Sequence, residues 1–93
     1  MDMNRPRYTN LDEAIAAEVR AELGRQSHTK NISEIAKTLD IRRATLSARI
    51  NGRTPFTAGQ LKAVADCLGT TPQELTAEAL RHMGVPDESE AAA

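Results

Sequence analysis

The stretch of sequence that decides the fold is residues 32–52, which read Ile-Ser-Glu-Ile-Ala-Lys-Thr-Leu-Asp-Ile-Arg-Arg-Ala-Thr-Leu-Ser-Ala-Arg-Ile-Asn-Gly. Apolar residues recur at helical spacing in its first half, and Leu46 and Ile50 stand one helical turn apart in its second half. The segment Asp40-Ile41-Arg42 interrupts the pattern between them. The spacing predicts two short helices joined by a tight turn, and the small Ala36 allows the helices to cross closely at a steep angle.

Three further helices are predicted around this pair from apolar residues that recur every three or four positions. Capping residues of the types that favour helix N-termini precede four of the five helices, and they are Asn10, Asn31, Thr57 and Thr71. The predicted helices cover residues 11–23, 32–39, 43–51, 58–68 and 72–83. We expect Gly24 to end the first helix in a left-handed conformation, and Gly69 to end the fourth helix.

A length of 93 residues predicts a single compact domain, and the proportions of hydrophobic and charged residues are those of a globular protein. No segment alternates at period two over the length of a strand, so the expected fold is all-α, a compact five-helix domain over residues 11–84. Residues 1–10 are expected to form a flexible basic arm, and residues 85–93 an acidic disordered tail. The chain has no long apolar run and no apolar leader segment after its first residues, so a cytoplasmic location is expected.

The sequence predicts no enzyme, no metal site and no cofactor or small-molecule ligand. His28 and His82 have no second ligand at metal-binding spacing, and the single Cys67 has no neighbouring acid–base pattern. No glycine-rich phosphate cradle occurs in the sequence. The only aromatic residues, Tyr8 and Phe56, are too few to form a stacking platform for single-stranded nucleic acid.

Charge is distributed unevenly along the chain, although the net charge is only −1. Residues 24–54 carry a net charge of +5, whereas residues 11–23 carry −3 and residues 55–93 carry −4. A basic centre between acidic flanks is typical of a protein that turns one face to a polyanion. A solvated basic surface is the alternative interpretation of the same pattern.

Residues 32–52 resemble the helix-turn-helix of the lambda-repressor-like family, which includes the phage Cro and repressor proteins. The resemblance continues through Arg53-Thr-Pro-Phe-Thr57, the helix from Leu61 to Leu68 and the segment Gly69-Thr-Thr-Pro-Gln-Glu-Leu75, and so covers about residues 11–80. It implies a five-helix fold that binds double-stranded DNA sequence-specifically, usually as a dimer, in transcriptional control.

Three positions depart from the pattern of that family. Ile32 stands where the family often has a glutamine that contacts a phosphate, and Asp40 stands at the turn position usually held by glycine. Arg49 stands at the usual apolar anchor, with Ile50 expected to take that task one position later. An aspartate is among the non-glycine residues that adopt a left-handed conformation at the least cost.

Helical geometry separates the residues expected to face DNA from those that face the core. If Leu46 and Ile50 point inward, Ala44 and Ala48 point to the opposite side. The residues expected to contact bases are Arg43, Ala44, Thr45, Ser47, Ala48 and Arg49. Those expected at the DNA backbone are Lys30, Asn31, Ser33, Arg42, Asn51, Arg53 and Thr54, and the N-terminal arm offers Arg5 and Arg7.

The last predicted helix carries more apolar surface than one inward stripe needs. Leu75, Leu80 and Met83 are therefore expected to form a homodimer contact, with the dimer bound to a near-palindromic operator. Two alternatives stay open. The chain could be a protein-docking or antitoxin-like module that uses the last helix or the acidic tail, or an architectural or recombination-associated DNA binder.

Overall fold

A computed structural model describes residues 10–83 of the chain. It contains five helices, which are α1 (Leu11–Arg25), α2 (Ile32–Leu39), α3 (Arg43–Ile50), α4 (Ala58–Leu68) and α5 (Pro72–His82). No strand occurs between residues 10 and 83, and the expected all-α five-helix fold is confirmed. Arg5, Arg7 and the expected acidic tail at 85–93 lie outside the described residues.

The predicted N-caps form where the sequence places them. In each case a side-chain oxygen accepts a hydrogen bond from a first-turn amide, which stabilises a helix by about 1 kcal/mol. The distances from amide nitrogen to cap oxygen are 2.7 Å for Asp12 to Asn10, 2.8 Å for Glu34 to Asn31, 3.1 Å for Gln60 to Thr57 and 3.1 Å for Glu74 to Thr71.

One core joins all five helices. Its largest completely enclosed side chains are Val19 on α1, Leu46 on α3 and Val64 on α4. Around them lie the other buried residues of the same cluster, which are Ile35, Ala36, Ile50, Ala65, Leu68 and Leu75. A smaller apolar cluster joins α1 to α5 and consists of Ala14, Ile15 and Ala79, with Met83 packed against it.

The expected dimer residues of α5 do not share one free surface. Leu75 is only 5% exposed and belongs to the main core, because α5 packs against both α1 and α4. Met83 packs against the cluster that joins α1 to α5. Leu80, at 41% exposure, is the member of the expected set that stays open to solvent. The expectation of a three-residue contact was therefore wrong for Leu75.

His82 makes a contact that spacing along the sequence does not show. His82 Nδ1 contacts Glu18 Oε2, and the Glu18 side chain is only 8% exposed. The two residues are 64 positions apart in the chain, and they meet because the end of α5 lies against the middle of α1.

The left-handed stop expected at Gly24 does not occur. Helix α1 continues through Gly24 to Arg25, and its end is fixed by Gln26 instead. The side-chain Nε2 of Gln26 donates to Leu68 O at 2.7 Å and to Glu22 Oε2 at 2.8 Å, so contact with the end of α4 places the turn two residues later. Gly69, by contrast, ends α4 in the left-handed conformation with φ of 76°.

We expect the substitutions Gly24→Ala and Gly69→Ala to change stability in opposite directions. Neither position has another atom within 4 Å of an added Cβ, so the backbone conformation decides the sign. Gly24→Ala adds a better helix former inside α1 and should raise the free energy of unfolding by about 0.5–1 kcal/mol. Gly69→Ala forces an L side chain into the left-handed region and should lower it by about 1–2 kcal/mol.

Urea denaturation followed by far-UV circular dichroism measures both changes. A loss of stability in Gly24→Ala would contradict the helical placement of residue 24 and would return the end of α1 to that glycine.

Candidate nucleic-acid interface

The turn between α2 and α3 is built around a left-handed aspartate. Asp40 has φ of 60° and ψ of 45°. In the described part of the chain, it is the one residue other than glycine that has a positive φ. The Asp40 amide donates to Lys37 O at 3.1 Å and the Ile41 amide donates to Ala36 O at 3.0 Å, which is the hydrogen-bond pattern of a Schellman motif. The chain therefore reverses at the position where sequence analysis expected a costly but accessible left-handed residue.

Helix α3 turns its apolar side inward as predicted. Leu46 is 0% exposed and Ile50 is 2% exposed, so Ile50 does take the anchoring position in place of Arg49. On the opposite side, Ala44 is exposed and Thr45 is half-buried. Ser47 and Ala48 are half-buried as well, and Ser47 Oγ accepts from Asn51 Nδ2 at 3.2 Å. The open part of α3 is consequently its N-terminal half.

The N-terminal ends of α2 and α3 meet at a hydrogen bond between two predicted site residues. Arg43 Nε donates to Ser33 Oγ at 3.0 Å, and both side chains belong to exposed residues. Arg42, the N-cap of α3, makes no side-chain cap, whereas the other four helices described are capped by an asparagine or threonine. Two helix N-termini, uncapped amides and a guanidinium group together favour an anion such as phosphate.

Arg49 lies apart from the other residues expected to contact bases. Its Nη1 donates to Pro55 O at 2.8 Å, and its Nε is buried without a hydrogen-bond partner among residues 10–83. Arg49 thereby ties the end of α3 to the connector before α4. The same connector is held by the Arg53 amide, which donates to Ala48 O at 2.9 Å.

The remaining predicted backbone-contacting residues surround the open end of the helix pair. Asn31, Arg42, Arg53 and Thr54 are exposed, and Lys30 is half-buried. Asn31 uses its side-chain oxygen as the cap of α2, accepting from Glu34 N.

Arg20 is a positioning residue that sequence analysis missed. Its Nη1 donates to Ile50 O at 2.7 Å, so that a cation on α1 holds the C-terminal end of α3, where the helix dipole is negative. Arg20 stands four residues after Ala16, and Ala16 lies close to Gly52. A Cβ atom at position 52 would come within 3.8 Å of the Ala16 Cβ. The available signal was that Arg20 is the one base among residues 11–23, which carry four acidic residues.

Comparison with known families decides the assignment. A family model described as helix-turn-helix matches residues 21–75, which is more than half of the chain. The chain belongs to the lambda-repressor-like helix-turn-helix family. No curated protein and no solved structure matches the chain. The matched range begins within α1 and contains all of α2, α3 and α4.

Family membership assigns the helix-turn-helix to α2 and α3 and identifies the chain as a DNA-binding regulator of this type. None of the described helices is both long enough and apolar enough to cross a membrane.

Charge divides this helix-turn-helix protein into two regions. The basic residues of the helix-turn-helix lie on α2, α3 and their flanking loops. The cleft between α1 and α5 is lined by four glutamates and three basic residues, which are Glu18, Glu22, Glu74 and Glu78 with Arg25, Arg81 and His82. Within this cleft, hydrogen bonds from Arg25 and then Gln26 hold the pKa of the Glu22 carboxyl below its ordinary value. The more positive charge therefore lies on the helix-turn-helix side of the described chain, which favours a polyanion there.

We expect Arg20→Met to loosen α3 without touching the exposed face. Methionine keeps most of the apolar stem but cannot donate to Ile50 O, and loss of a hydrogen bond from a charged donor costs about 1.5–3 kcal/mol. Arg25→Met on the same helix is the matched control, because Arg25 is largely exposed and its side-chain partner among residues 10–83 is Glu22, three residues away.

Chemical denaturation of the two variants provides the comparison. Equal stabilities for Arg20→Met and Arg25→Met would show that the bond to Ile50 does not hold α3.

Proposed function

We propose that this protein is a sequence-specific transcriptional regulator that binds double-stranded DNA and reads the major groove with α3. The observation that carries the proposal is the paired N-terminal end of α2 and α3, where exposed Arg43 bonds Ser33 beside the uncapped first turn of α3. At this end, a helix that fits the major groove lies beside hydrogen-bond donors that can bind the phosphates at the edges of the groove. A Cro-like or repressor-like role, with a phage origin, is the form that the family resemblance favours.

Base recognition is assigned to the exposed side of α3. Arg43 at the first helical position is suited to a bidentate contact with guanine, worth about 1–3 kcal/mol of discrimination. Ala44 and Ala48 offer apolar contact to a thymine methyl group, and Thr45 and Ser47 offer hydroxyls to a base edge or phosphate. Arg49 is assigned to support of the connector rather than to a base, because its guanidinium donates to Pro55.

Phosphate binding is assigned to the residues at the rims of α3, which fix its register without specifying sequence. On one side these are Lys30, Asn31 and Ser33 at the start of α2, with Arg42. On the other side they are Asn51, Arg53 and Thr54, on the connector that Arg49 holds.

Dimer formation is assigned to the outer side of α5 around Leu80. Leu80 and Leu11 are the two large apolar residues exposed in the described range. A two-fold dimer through α5 would place two α3 helices on half-sites separated by about 10–10.5 base pairs.

Selection of bound duplexes from a random pool, followed by sequencing, tests the proposal directly. We expect a two-fold-symmetric motif. An asymmetric motif would contradict the dimer but not the groove contact. No enrichment at any salt concentration would contradict DNA reading altogether and would favour the protein-docking alternative. Strong bending of the selected DNA without control of a promoter would favour the architectural role.

We expect Arg43→Ala to erase discrimination at one base position in each half-site and to leave the remaining positions unchanged. Lys30→Ala should instead weaken all sequences uniformly, because it removes only a phosphate contact. Lys62→Ala is the neutral control, since Lys62 lies on α4 and pairs with Asp66 at 3.0 Å. The measurement is binding affinity across single-base variants of the selected site. Uniform weakening by Arg43→Ala would make Arg43 a phosphate contact as well.

The salt dependence of affinity gives a second check on the phosphate contacts. If each subunit neutralises about four phosphates, the log–log slope of affinity against salt concentration for a dimer should be about −7. A titration of the selected duplex by fluorescence anisotropy measures it. A slope of about half that value would indicate that one subunit binds alone.

A further inference from the structure

We propose that Glu18, Glu78 and His82 form a binding site for Zn²⁺ or a similar divalent transition-metal ion between α1 and α5. One carboxylate oxygen from each glutamate and one imidazole nitrogen lie within 4.8 Å of one another. This site is separate from the helix-turn-helix, and its existence does not depend on the DNA-binding proposal.

The fold presents the three ligands from two helices. Glu78 and His82 are four residues apart on α5, so they project from the same face on successive turns. Glu18 approaches from α1, and its carboxylate already contacts His82 Nδ1. The two helices pack along each other, which fixes the distance between the two sides of the site.

Glu18 is the observation that points most strongly to a cation. Among residues 10–83, Glu18 is the one charged residue that is buried, with 7% of its surface exposed. A buried carboxylate is costly unless a cation or hydrogen-bond donors compensate it, and the partner given by the structure is the single ring nitrogen of His82. A divalent ion would supply a larger and more localised positive charge at the same place.

The chemistry of the ligands selects the metal. Mg²⁺ and Ca²⁺ prefer sites made only of oxygen, whereas an imidazole with two carboxylates suits Zn²⁺, Co²⁺ or Ni²⁺. Zn²⁺ with three protein ligands is completed by water in a tetrahedral arrangement. The His82 side chain is 60% exposed and lines an open cleft of about 640 Å³, so both the ion and the water have access.

Only small movements are needed to close the site. Ligand atoms at zinc distances of about 2.0–2.1 Å stand about 3.3 Å apart around a tetrahedral ion, whereas these atoms lie within 4.8 Å. The ion must take the place of the direct contact between Glu18 and His82, and it must displace Arg81 from Glu78. The Arg81 side chain is 63% exposed, so it can remain hydrated after release. Exposed ion pairs of this kind contribute little, about 0–1 kcal/mol, and offer little resistance.

The consequence of binding would be a link between the last turn of α5 and the middle of α1. A ligand that binds the folded chain stabilises it by mass action. Leu80 lies between Glu78 and His82 in sequence, so the linked turn is the one that carries the exposed apolar side chain of α5.

The test uses the full chain, ZnCl₂ and an EDTA-treated reference. We expect one ion bound per chain in competition with a chromophoric chelator, a rise in Tm on addition of ZnCl₂, and no rise with MgCl₂. Co²⁺ should give the visible absorption of a low-symmetry four-coordinate site. Glu78→Gln and His82→Gln, which alter exposed or half-exposed side chains, should fold normally and weaken Zn²⁺ affinity by more than about tenfold.

Matched controls separate this site from incidental binding. Glu22→Gln changes a carboxylate in the same cleft, His28→Ala removes the other histidine, and Cys67→Ser removes the thiol. All three should bind Zn²⁺ like the parent chain. Absence of one-to-one binding, or a loss in His28→Ala or Cys67→Ser that equals the loss in Glu78→Gln, would overturn the proposal.

Discussion

The burial of Leu46 is the contact on which the helix-turn-helix depends. Helix α3 has only eight residues, which is too short for a stable helix in water without packing. Leu46 is fully enclosed and Ile50 nearly so, and together they fix one side of α3 to the core while leaving the start of the other side open. The surface of α3 that is assigned to DNA therefore depends on the packing of the opposite side of the helix against the core. Arg20, by bonding Ile50 O, secures the end that lies farthest from Arg43.

The same device ends α2, α3 and α4. A left-handed residue follows each helix, namely Asp40, Gly52 and Gly69, and the next amide donates back to the carbonyl five positions earlier at 2.9–3.0 Å. The connections are three residues long between α2 and α3 and between α4 and α5, and seven residues long between α3 and α4. Asp40 is the position where a side chain must accept this conformation, and a short polar residue does so at the least cost.

Local signals were predictable from sequence and contacts between distant residues were not. Asn31 and Thr71 were identified as caps because their partners lie three residues away, and the inward side of α3 followed from the spacing of Leu46 and Ile50. The end of α1 was missed because it depends on Gln26 reaching Leu68, 42 residues later. Leu75 was assigned to a surface since periodicity identifies an apolar residue but not the helix that covers it. Arg43 and Ser33 were both predicted as site residues, but their hydrogen bond could not be predicted, because it depends on the angle between α2 and α3.

Helix α5 packs on α1 and α4, and no Cα atom of α5 lies within 8 Å of one in α2 or α3 in the described chain. Its influence on the helix-turn-helix passes through the shared core around Leu75. Substitutions on the outer side of α5 and on the outer side of α3 should consequently have additive effects on the free energy of unfolding, as distant positions usually do. During evolution, the partner surface of α5 and the base preference of α3 can therefore change through separate substitutions.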